Sequence, residues 1–132
     1  MELPDELTEG ATLRGKEFAW AVAEFPAVLA KARNLGFGCL GGQFQFRPPA
    51  GTCEMYWLSA DPDRRESGEA WSDYADRSCA LVLNRFRATL ADSNFAEEAQ
   101  RWPDVPELSG PLAAPLEHLC FVASFVRERP GV

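Results

Sequence analysis

The strongest constraint in this chain is a change of period at Gln43-Phe44-Gln45-Phe46-Arg47, where polar and apolar residues alternate strictly. Successive strand side chains point to opposite faces, so the pattern predicts a half-buried strand over 37–47 with Phe44 and Phe46 inward. Pro48-Pro49-Ala50-Gly51 is turn chemistry. Thr52 to Ser59, rich in strand formers, then predicts the return strand of an antiparallel hairpin. With Glu54 facing water, Tyr56 and Leu58 share its face, and Cys53, Met55 and Trp57 join the phenylalanines. A two-stranded sheet is marginal alone, so the rest of the chain must cover the hairpin.

Helical spacing surrounds it. Phe18, Val22, Phe25, Leu29 and Ala32 draw an apolar stripe over 16–34. Pro26 either kinks that helix or opens a second one, and Asn34-Leu35-Gly36 supplies a stop. Residues 60–68 form a polar loop. Trp71, Ala75, Cys79, Val82, Phe86 and Leu90 recur at steps of three or four and predict a long helix over 69–91. Asn94 followed by Glu97 suggests a capping box for a short helix to Arg101, and the proline-rich segment to Pro111 is loop. Residues 115–128 are apolar nearly all round and are expected as a buried helix. Residues 1–15 show little periodicity and are expected as a loosely held arm, with at most a short helix. The expected architecture is a single helix-rich α+β domain over 16–132, in the order α, β, β, α, α, α. It holds one antiparallel hairpin, and a third strand could lie near Gly36–Leu40.

At 132 residues, 46% hydrophobic and 25% charged, the chain can bury a core without staples. No run approaches the ~20 apolar residues of a membrane span. The opening Met1-Glu2-Leu3-Pro4-Asp5-Glu6 lacks a signal-peptide core, so the expected compartment is the cytoplasm. Four scattered cysteines, Cys39, Cys53, Cys79 and Cys120, are expected as free buried thiols. The net charge of −7 disfavours nucleic acid, whose phosphates require a basic face, and suits a basic protein partner.

The residues point away from catalysis. His118 is the single histidine, and no Cys or His pair has metal-ligand spacing. Cys53 has Glu54 beside it, but neighbours on a strand face opposite ways. Gly36-Phe37-Gly38-Cys39-Leu40-Gly41-Gly42 follows a helix and opens a strand, the reverse of a dinucleotide loop. The pairs Asp61/Asp63, Asp73/Asp76 and Glu97/Glu98 fit an acidic surface. The expectation is no catalytic residue, no metal and no cofactor.

Charge placement says more. Glu54 through Asp76 carries seven acids against two arginines, a local −5, and Asp92 through Glu107 five acids against one, a local −4. Between them, residues 77–91 hold three arginines and no acid. Acids in a first helical turn complement the dipole, which accounts for Glu69 and Asp73 but not for Asp61, Asp63 and Glu66. Trp71 belongs to the helix stripe, whereas Tyr56 and Tyr74 are expected to be exposed, and Tyr is over-represented at binding hot spots. The expected partner-binding surface is therefore Gln43, Gln45, Glu54, Tyr56, Asp61, Asp63, Glu66, Asp73 and Tyr74.

The segments Gly41-Gly42-Gln43-Phe44-Gln45-Phe46-Arg47 and Gly51-Thr52-Cys53-Glu54-Met55-Tyr56-Trp57-Leu58 resemble a core segment of small bacterial proteins found among polymorphic-toxin immunity proteins. The resemblance covers about 20 residues and carries over no functional residue. It implies a small, acidic, cytoplasmic protein that neutralises a cognate toxin by covering its active site; a monomer or weak dimer is expected. An acidic secretion chaperone that binds an effector segment is the alternative, followed by an enzyme on an unfamiliar scaffold.

Overall fold

A computed structural model describes residues 3–129. Five strands form one antiparallel sheet: β1 (Thr12–Arg14), β2 (Glu17–Ala21), β3 (Gly38–Phe46), β4 (Cys53–Ala60) and β5 (Leu119–Val126), in the order β1-β2-β5-β3-β4. The helices are α1 (Asp5–Thr8), α2 (Phe25–Asn34), α3 (Trp71–Asp92), α4 (Phe95–Glu98) and α5 (Pro106–Ser109), with 3₁₀ turns at Ala99–Arg101 and Pro115–His118. The β3–β4 hairpin and the long helix stand where their patterns place them. The mixed α+β class holds, with more strands than the single hairpin expected.

Two expected helices are strands in part. Residues 17–21 form β2, and the helix starts beyond them, with Pro26 in its first turn, where a missing N–H costs nothing. It ends in a paired stop. Gly36, at φ 85°, donates its N–H to Arg33, and Phe37 donates to Ala32, at 3.0 and 2.9 Å. Residues 119–126 form β5, hydrogen-bonded to β2 on one side and β3 on the other. A central strand can be apolar on both faces, which erases the alternation and leaves a run that periodicity cannot tell from a buried helix. The expected arm carries α1 and β1. Its Leu7 is buried, and the Leu7 carbonyl accepts the Trp20 indole N–H at 2.7 Å. Positions 1–2 and 130–132 of the expected arm and domain lie outside the described residues.

The core fills the space between one sheet face and the helices. Phe44 sits at its centre with no exposure. Its ring stacks on Phe86 of α3 at 5.2 Å and lies 5.1 Å from Phe95 and 5.0 Å from Phe121 of β5. Phe25 of α2 joins them 4.6 Å from Phe121. All four cysteines are free and buried.

Candidate functional site: the concave sheet face

Among the described residues, the helices of the core lie against one sheet face, and irregular pairing shapes the other. Gln43 pairs with Ser59, but the next residue, Phe44, pairs with Met55, so Tyr56, Trp57 and Leu58 bulge out of β4 unopposed. Such a bulge re-aims side chains. It shifts the alternation by one: Leu58 packs against the core, while Trp57, expected inside, is exposed and donates to Glu98 Oε2 at 3.2 Å. Tyr56 is left 73% exposed, its ring 5.0 Å from that of Trp57.

A second irregularity falls between Cys39 and Gly41 against β5. Gly41 has φ 92°, and a Cβ there would meet Asp61 Oδ1 at 2.4 Å. At Gly42 a Cβ would lie 1.7 Å from the Val122 carbonyl oxygen. These two positions carry no side chain because none fits. The backbone itself floors this part of the face.

Two arginines curl the sheet. Arg47, nearly buried at the end of β3, donates to Gln45 Oε1 (3.1 Å), to the Thr12 carbonyl (2.8 Å) and hydroxyl (3.0 Å), and to the Glu17 carbonyl (3.2 Å). Arg14 reaches from β1 to the β3–β4 turn and donates to the carbonyls of Gly51 (2.6 Å) and Pro48 (2.9 Å). Strands β1 and β3 are separated by two others in the sheet, so these bonds draw its far edge back over its open face. Burial lowers the pKa of Arg47, but a guanidinium stays charged at neutral pH.

The result is a recess of about 560 Å³. Three carboxylates from separate segments line it: Glu17 on β2, Glu54 on β4 and Asp61 just after β4. None of the three forms an ion pair among the described residues. Gln43, Ser59 and Ser124 add polar lining, and Leu40 and Tyr56 add apolar surface. Gln45 lies fully buried, and its amide joins Arg47 to Glu54.

The structure therefore gathers Gln43, Glu54, Tyr56 and Asp61 in one recess, with Gln45 as support rather than as contact surface. Asp63 and Glu66 stand outside it on the exposed loop before α3, where Asp63 pairs with Arg85 at 3.3 Å. Asp73 is exposed in the first turn of α3. Tyr74 departs from expectation: it is buried, with its ring against Gly38, where a Cβ would come within 2.8 Å. The glycine leaves a slot that the tyrosine ring fills. Glu17, Ser59 and Ser124 were missed, Glu17 and Ser124 because their strands read as helices. The signal present for β2 was the Phe18/Trp20 alternation.

The recess presents carboxylates and polar side chains to solvent. Burial pushes the Cys39 thiol up to about 12 and those of Cys79 and Cys120 to about 11, so none supplies thiolate at neutral pH. No group of three His, Cys, Asp or Glu among the described residues is placed to hold a metal ion. Among them, no helix is long and apolar enough to cross a membrane. No protein-family model, curated protein or solved structure matches this chain.

Proposed function

We propose that this protein is an immunity-type inhibitor, which binds a basic toxin domain in the cytoplasm and neutralises it by covering its active site. The observation that carries the reading is the concave face: three unpaired carboxylates around a recess, with an exposed tyrosine at its rim. Unpaired acids on a curved surface attract a cationic partner and speed its encounter, and an exposed aromatic supplies an anchor. Asp63, Glu66 and Asp73 extend the negative field beyond the recess. In this reading the chain is not an enzyme and needs no cofactor, nucleic acid or membrane.

The test is a growth rescue with co-purification. The product of the adjacent upstream gene is expressed with and without this protein. Toxicity alone, rescue on co-expression and a stable one-to-one complex support the reading. A harmless product, or no complex, sinks it. Reversing charge at Asp61, Asp63 and Glu66 should slow association about tenfold or more at low salt and flatten its salt dependence. Tyr56→Ala should act mainly on dissociation.

One observation favours the secretion-chaperone alternative. A mainly apolar groove of about 630 Å³ between Val22, Leu90, Phe95 and Leu116 lies on another side of the molecule, and Leu116 is 64% exposed. A client segment rich in apolar residues would suit that groove, and mass measurement in solution separates the two readings, since such chaperones tend to be dimers.

A further inference from the structure

We infer that the concave sheet face takes the guanidinium of an arginine presented by the basic partner. The inference rests on the inhibitor reading above and specifies what that partner must present.

The recess of about 560 Å³ is open to solvent and floored in part by glycine backbone at Gly41 and Gly42, and Glu17, Glu54 and Asp61 are all exposed around it. Charge complementarity sets the sign. Glu17, Glu54 and Asp61 come from three segments, and among the described residues no lysine or arginine lines the recess. Three nearby arginines are committed elsewhere, whereas Lys16, next to Glu17, lines the adjoining hollow. Arg14 and Arg47 donate to backbone carbonyls, and Arg85 donates to the main-chain oxygen of Asp61, leaving its carboxylate free.

Chemistry favours arginine over lysine. A guanidinium is a planar fork of five donors that can bridge more than one acceptor, whereas an ammonium is a compact point charge. The exposed Tyr56 ring at the rim offers a face on which a guanidinium stacks. Gln45 holds Glu54 in place from below, with its own polar atoms used inward.

The experiment is a chemical-shift titration of the whole protein with N-acetyl-arginine amide at low salt. The lysine amide and the neutral, isosteric citrulline amide serve as controls. The expected result is saturable shifts at Gln43, Tyr56 and Ser124 with the arginine amide. Binding should be several-fold weaker with the lysine amide and absent with citrulline. Glu54→Gln with Asp61→Asn, which keeps shape and folding, should weaken arginine binding at least fivefold, and an unchanged melting temperature confirms that the fold is intact. Equal shifts with citrulline or lysine, shifts centred on Asp63 and Glu66, or no loss in the double variant would overturn the inference. The growth rescue reports separately. Rescue that survives the double variant leaves the inhibitor reading standing and removes the arginine recess. Failed rescue by the unaltered protein, with arginine binding intact, removes the toxin and not the recess.

Discussion

Replacing Arg47 by Met tests whether the curl of the sheet, and with it the recess, depends on one side chain. Methionine keeps much of the aliphatic stem and removes the guanidinium. Four hydrogen bonds go with it, to Gln45, Glu17 and twice to Thr12. Bonds from a charged donor contribute roughly 1.5–3 kcal/mol each, or about 6–12 kcal/mol if they added. Keeping a guanidinium out of water costs several kcal/mol in the parent, and that penalty disappears in the variant. The net loss is then about 2–4 kcal/mol, a large share of the roughly 5–15 kcal/mol that holds a domain together. Urea unfolding followed by tryptophan fluorescence measures it directly. Hydrogen exchange adds a local readout, because amides of β1 and β2 should lose protection before those of β3 and β5. Arg47→Lys should recover little, since one ammonium cannot span acceptors on three strands. A loss below about 1 kcal/mol with unchanged β1–β2 exchange would refute the reasoning and show that the sheet curls by strand twist alone.

Four other outcomes follow from the same geometry. Phe44→Ala leaves a cavity among Phe86, Phe95 and Phe121 and should cost about 3–5 kcal/mol by denaturant titration. Gly42→Ala drives a methyl into the Val122 carbonyl and should cost more than about 3 kcal/mol, read as a fall in melting temperature of roughly 10 °C. Glu69 accepts two 2.8 Å hydrogen bonds from Arg77, which holds its carboxyl down at about 2. Its contribution to stability is present above the unfolded carboxylate range near 4.3 and is lost as pH falls through about 2, so Glu69→Gln should flatten acid unfolding across that window. The thiols of Cys39, Cys79 and Cys120, raised by burial, should resist alkylation at pH 8 in the native state and react on unfolding. Rapid native-state labelling would show that those sites open locally.

The hairpin and the long helix were legible because each keeps its apolar residues on the face toward the core and polar residues on the other. Phe44 and Phe46 alternate with Gln43 and Gln45, and Val82 and Phe86 recur at helical spacing with Arg85 and Arg87 outside. The strands between and after them failed to declare themselves for the opposite reason. Leu119, Phe121 and Phe125 face the helices while Cys120 and Val122 face the curled side with Ala19, so β5 is buried on both faces and has no polar phase to read. That failure carried the site with it. With β2 and β5 read as helices, Glu17 and Ser124 had no sheet to share with Glu54. The bulge at Tyr56-Trp57-Leu58 is illegible for a related reason: strict alternation through β4 places Trp57 inside, and only the long-range register of Gln43 with Ser59 turns it out. Local patterning thus located half of the acidic recess. The other half, and its concavity, arise from Arg14 and Arg47 bonding across sequence separations of 30 residues or more, a kind of closure that no local window contains.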